Sequence, residues 1–178
     1  MSYKNNILMQ FLEKPTSRFQ LRELARLTKL STTAVKSALK KLLEENIIKT
    51  EKEKHYVFYK VNWDALEYKW AKKFYSINKI FASGLIEYLD EQLNYPEAIV
   101  LFGSAARGED AERSDIDLFV FSVNKKELNL KEFEKKLGKP IMLQLFNKAE
   151  FEIAKKKNKE LINNVINGVI LKGYLEVL

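Results

Sequence analysis

Residues 101–122, LFGSAARGEDAERSDIDLFVFS, carry an apolar run into a Gly-Ser turn, cross a polar stretch and return to a second apolar run through Asp-Ile-Asp. The run that ends at Phe102 has the length and β-branched content of a buried strand, and Ile116 to Phe121 reads as another. A strand that turns on Gly103 and Ser104 into a short helix offers free backbone N–H groups and a hydroxyl, a natural seat for phosphate oxygens. Asp115 and Asp117 lie two residues apart at the start of the second strand, so their carboxylates leave from one face while Ile116 and Leu118 point into the core. Like charges placed side by side raise each other's cost of desolvation, which a purely structural strand has no reason to bear. Two carboxylates beside a phosphate seat can instead hold one or two Mg²⁺ ions bridging the oxygens of a nucleoside triphosphate.

Further along, residues 140–146 (PIMLQLF) form a third strand-like run whose only polar side chain is Gln144, and residues 169–171 read as a short closing strand. The lysines of 154–159 (AKKKNK) read as a solvated helix face.

Upstream, residues 63–93 place apolar side chains at Trp63, Leu66, Trp70, Phe74, Ile77, Phe81, Leu85, Leu89 and Leu93, in steps of three and four throughout. This predicts one long amphipathic helix, or two pieces that break near Ser83-Gly84, with Trp70 and Phe74 as core residues. Such a stripe suits either a homodimer seam or a clamp within one chain.

The first third differs in charge. Residues 1–62 hold 13 Lys and Arg against 6 Asp and Glu, whereas 63–93 hold 4 against 5 and 94–178 hold 14 against 13, so the whole excess of +7 sits at the N-terminus. That balance predicts a polyanion partner, nucleic acid or an acidic membrane surface. Helical spacing predicts a helix ending near Lys14 before Pro15, a second through Leu21, Leu24 and Leu27, and a third capped by Ser31. Residues 47–50 and 56–61 then flank a charged tip, 51–55, as a hairpin. With the apolar face of the third helix turned inward, Thr32, Thr33, Lys36, Ser37 and Lys40 face outward, as a helix entering a DNA major groove requires. Lys52 and Lys54 on the hairpin are expected to meet phosphates. His55, the only histidine, reads as a surface residue of the hairpin rather than a catalytic base.

Helix, helix, turn, helix and hairpin, with LRELARLTKLSTTAVKSALKKLLEENII as its second and third helices, resembles the winged helix-turn-helix of bacterial and archaeal regulators over about 60 residues. This implies double-stranded DNA as partner. Gly103-Ser104, Arg107-Gly108 and Ser114-Asp115-Ile116-Asp117-Leu118 resemble the signature of the minimal nucleotidyltransferases of the DNA polymerase beta superfamily, and the likeness covers roughly residues 96–172. It implies a small mixed sheet with helices on one side. It also implies a triphosphate on Gly103 and Ser104, Mg²⁺ on Asp115 and Asp117, phosphate charge neutralised by Arg107, and a nucleotide contact at Ser114. The family's usual third carboxylate has no counterpart in PIMLQLF, because a neutral amide such as Gln144 is a poor metal ligand and no base. Glu150 and Glu152 are the nearest acids that follow. Some relatives are antitoxins that modify a helical toxin, which implies a helical protein partner.

The expected architecture is therefore α+β: a winged helix-turn-helix (1–62), a linking helix (63–93) and a nucleotidyltransferase-like domain (94–178). Two functions fit: transfer of a nucleoside monophosphate to a hydroxyl, or DNA-bound regulation in which the second domain senses nucleotide without chemistry. The chain has no cysteine and no run of 18 apolar residues. Together with a start that lacks a leader-like segment, this predicts a cytoplasmic, non-membrane protein without thiolate metal sites.

Overall fold

The computed structural model describes residues 2–176, which divide into two compact units, Met1–Lys72 and Lys73–Leu178. In the first, α1 (Tyr3–Glu13), α2 (Leu21–Thr28) and α3 (Thr32–Glu44) precede a hairpin of β1 (Ile48–Glu53) and β2 (Tyr56–Val61). Ser31 caps α3 by accepting the Ala34 N–H at 3.2 Å, which satisfies one of the donors a helix start leaves open. Val35, Ala38, Leu39 and Leu42 form the buried face of α3. Phe19 exchanges two backbone hydrogen bonds with Tyr59, adding a third strand segment to the hairpin, and its ring meets Phe11 edge-on at 5.3 Å. The hairpin is longer than its charges suggest. Glu51 to Glu53 remain in β1, and only Lys54 and His55 make the turn, with Lys54 in the left-handed region (φ 53°). The alternating charges fit a strand because their partners lie across it: Glu51 pairs with Lys60 and with Arg18, whose guanidinium also reaches Glu53 at 2.7 Å.

The helix that follows breaks at Gly84 into α4 (Leu66–Ser83) and α5 (Leu85–Gln92). The apolar stripe is buried in α5, at Leu85 and Leu89, and at Leu93 after it, but in α4 most of it is not. Trp70 and Phe74 are 65% and 68% exposed, and Leu66 is exposed too, whereas Tyr68, Lys72, Ser76 and Ile80 are buried. Periodicity of hydrophobic residues misses this because the inward polar groups are satisfied: Lys72, 2% exposed, gives its ammonium to the Leu12 carbonyl at 2.7 Å, and Ser76 donates to Asp110 at 3.1 Å.

The second unit holds a four-stranded sheet ordered β5-β4-β3-β6, from β3 (Ala98–Phe102), β4 (Ile116–Phe121), β5 (Ile141–Phe146) and β6 (Val169–Gly173). β3 runs antiparallel to β4 and β6, and β4 runs parallel to β5. A one-turn helix, α6 (Gly103–Arg107), follows β3, and α7 (Lys131–Leu137), α8 (Lys148–Lys157) and α9 (Lys159–Ile166) complete the unit. Helices cover both faces of the sheet, not one. Ile99, Leu101, Ile116, Leu118 and Val120 pack with residues of α4, α5 and α7, while Ala98, Val100, Phe102, Phe119 and Phe121 pack with α8 and α9. The cause is legible in AIVLF and in LFVF, which are apolar at successive positions and so need cover on both sides.

Replacing Lys72 by Ala is expected to destabilise the first unit by about 1–3 kcal/mol, since it removes a buried donor and its packed stem. Phe74→Ala, on the exposed side, is expected to stay within about 0.5 kcal/mol, both read by urea denaturation.

Candidate functional sites

The end of β3 and the start of β4 lie side by side, with Phe102 and Asp117 as direct partners. The next residue, Gly103, turns the chain with φ 68°. A Cβ there would stand 2.9 Å from Asp117 Cγ and closer still to its Oδ2. Glycine is thus required twice, for the backbone conformation and for the carboxylate that leans on the turn. The bend and the acid form one site, and Asp115 stands beside them, exposed, one residue before β4 begins.

Burial, and then the neighbouring Asp115 charge, raise the Asp117 carboxyl above the ordinary carboxylate range, while the Arg107 guanidinium partly opposes them. Arg107 is exposed and donates from Nε to Glu109 at 2.9 Å, on the rim of the same bend. The Ser104 side chain has no hydrogen bond among the described residues, and its carbonyl accepts the Glu109 N–H. Ser114 is already engaged: its hydroxyl oxygen accepts the Ala111 N–H at 2.9 Å, closing the turn that leads to Asp115. Two carboxylates are a hard-oxygen donor set, and Mg²⁺ typically takes one or two such ligands and completes its shell with substrate phosphates and water. The mutual repulsion of the pair is what a divalent cation relieves.

Among the described residues, no group of three His, Cys, Asp or Glu side chains stands together. On β5 the residue in register with Asp117 is Met142, with Gln144 two places further on the same face. Glu150 and Glu152 do not fill the gap. They follow Phe146 on α8, and Phe146 pairs with Phe121 at the far end of β4, about 13 Å along the strand from Asp117 at ~3.3 Å per residue. Glu150 is held by Lys125 and by the Asn147 N–H in a capping box, and Glu152 by Lys155. These contacts keep both carboxyls below their usual range.

The family model described as polymerase beta, nucleotidyltransferase, matches residues 83–174, just over half of the chain. The chain belongs to this nucleotidyltransferase family. A second model, a winged helix-turn-helix DNA-binding domain, matches residues 10–49, from within α1 to the start of the hairpin. No curated protein matches the chain.

The winged-helix unit carries all of the net charge: Met1–Lys72 has 15 Lys and Arg against 8 Asp and Glu, and the rest balances at 16 of each. Thr32, Thr33, Lys36, Ser37 and Lys40 are all exposed along α3, as are Lys52 in β1 and Lys54 in the turn. Lys40 has Glu44 one turn away at 3.7 Å, whereas Lys36, Lys52 and Lys54 have no ion pair among the described residues. The structure adds Arg22 and Arg26, exposed one turn apart on α2. They line an open groove with Gln20 and Thr32. The i, i+4 spacing in LRELAR is the signal that would have found them.

Gly103→Ala is expected to force the bend and Asp117 apart, so the variant folds with a lower melting temperature and loses any affinity that needs both. Asp117→Asn should act in the opposite direction on stability. Its carboxyl keeps a proton to higher pH in the folded chain than in the unfolded one, so it weakens the fold at neutral pH and not in acid. The asparagine variant should therefore melt higher than wild type at pH 7 in metal-free buffer, with the difference vanishing below about pH 4, where the unfolded carboxyl is protonated too.

Proposed function

We propose that the chain binds a Mg²⁺-nucleoside triphosphate at the Gly103 bend and transfers its nucleoside monophosphate to a hydroxyl acceptor, while the winged-helix unit engages double-stranded DNA. The observation that carries the first part is the contact between the glycine turn and Asp117, with Asp115 alongside. In this reading Gly103 lets the phosphates approach the backbone, and Ser104 and the first N–H groups of α6 hold their oxygens. Asp115 and Asp117 are the metal ligands, and Arg107 supplies positive charge at the rim. A bound Mg²⁺ would offset charge on the phosphate oxygens and orient the triphosphate. The acceptor oxygen attacks the α-phosphorus in line, the bond to the β-phosphate oxygen breaks, and pyrophosphate leaves. With no third carboxylate beside the pair among the described residues, the proton of the acceptor hydroxyl passes to solvent water. The loss of base assistance slows transfer by about 10²–10⁴-fold.

That missing acid favours a second reading, a DNA-binding regulator that senses nucleotide without transferring it. Incubation with labelled ATP, GTP, CTP or UTP, Mg²⁺ and cell lysate separates the two. Transfer lost in Asp115→Asn and Asp117→Asn supports the enzyme, Mg²⁺-dependent nucleotide binding with no transfer supports the sensor, and calorimetry showing neither binding nor transfer removes both.

For DNA, support comes from the cationic, exposed face of α3 and from Arg22 and Arg26 on α2. Duplex affinity should fall steeply with salt, and Lys36→Glu with Lys40→Glu should weaken it at least tenfold. Arg22→Ala with Arg26→Ala should lower the slope of log K against log salt by about 2, as two lost phosphate contacts require. Binding indifferent to salt and to all four changes would count against this surface.

A further inference from the structure

The chain between α6 and β4, residues 108–115, forms neither helix nor strand, yet it carries Asp115, one of the two acids of the site. Its hold on the fold is a buried ion pair. Asp110 is 1% exposed, and its Oδ2 accepts Lys139 Nζ at 2.5 Å while the Ser76 hydroxyl donates to its Oδ1 at 3.1 Å. The same ammonium donates to the Ala111 carbonyl at 2.6 Å. Ala111 in turn gives its N–H to Ser114 Oγ and accepts the Ser114 N–H at 3.2 Å. One residue on from Lys139, the Pro140 carbonyl accepts the N–H of Ile116 at 2.9 Å. The Lys139-Pro140 dipeptide therefore grips this segment at both ends, at Asp110 and Ala111 and again at Ile116, with Asp115 between the grips.

The two acids are thus supported differently. Asp117 is fixed by the ladder of β4, where it pairs with Phe102 and Met142. Asp115 has only its loop, and no side-chain contact of its own holds it among the described residues. A buried ion pair is a poor source of stability, because desolvation consumes much of the attraction, and apolar residues of similar size often serve the fold as well. What such a pair supplies is a fixed geometry.

We infer that Asp110 and Lys139 are positioning residues that hold the Asp115 carboxylate beside Asp117 and so set the affinity of the acid pair for a divalent cation with its nucleotide. This rests on the proposed role of the two acids, but the grip on the loop stands apart from it. The experiment compares wild type, Lys139→Met and the double variant Asp110→Leu with Lys139→Met, which removes both members of the pair. Melting temperature, hydrogen exchange of residues 109–116 against 117–121, and Mg²⁺-ATP affinity by calorimetry are read on each full-length protein. The double variant is expected to melt close to wild type, to exchange at least tenfold faster in 109–116 with 117–121 unchanged, and to bind Mg²⁺-ATP at least tenfold more weakly. Lys139→Met alone, which removes the ammonium beside the buried Asp110 carboxylate, is expected to melt lower. Unchanged exchange and affinity in a stably folded double variant would overturn the inference, as would faster exchange at wild-type affinity. A wild-type protein that takes up no Mg²⁺-ATP would refute the proposed function, and loop exchange would then still show whether the pair grips the segment.

Discussion

A turn with no side chain, pressed against a carboxylate, organises the nucleotidyltransferase unit. β3 and β4 are antiparallel with Phe102 opposite Asp117, so the chain leaves the sheet and re-enters it at the same place. The excursion between them must begin on a residue that lacks a Cβ. That single condition puts backbone N–H donors, an uncommitted hydroxyl on Ser104 and two acids at one end of the sheet. Apolar packing on both faces holds β3 and β4 in register, and the cost of crowding like charges falls on a scaffold whose stability comes from elsewhere.

Both units bury charge or polarity at points where hydrophobic burial alone would leave geometry loose. In the first, the Lys72 ammonium caps the Leu12 carbonyl, near the end of α1 where the helix leaves its last carbonyls without intrahelical partners. In the second, Asp110 meets Lys139 and Ser76. Each contact joins segments that are distant in sequence through directional hydrogen bonds, which fix an orientation as well as a separation.

The elements of the fold were legible because most of them announce themselves locally. Ser31 before an apolar stripe, Pro15 after a helix, Gly84 within a long one and the β-rich run Tyr56 to Val61 are all short-range signals. What stayed hidden depends on partners far along the chain. The true inward face of α4 runs through Lys72 and Ser76, and nothing near them in sequence reveals the acceptors that make burial tolerable. The Asp110–Lys139 pair spans 29 positions and looks like two ordinary surface charges. Similarly, Glu51 to Glu53 read as a hairpin tip until Arg18 and Lys60 are seen to neutralise them within the strand. At the site itself, Gly103, Asp115 and Asp117 stood out from residue type and spacing. That the glycine is demanded by the acid required the register of two strands.

α4 runs unbroken from Leu66 to Ser83, and the division between the compact units falls inside it, after Lys72. Domain boundaries commonly fall in exposed, flexible segments that can be cut without harm. Severing this one would leave stubs of 7 and 11 residues, below the roughly 12–15 at which an isolated helix holds together in water. The two halves are thus poor candidates for separate expression at that point.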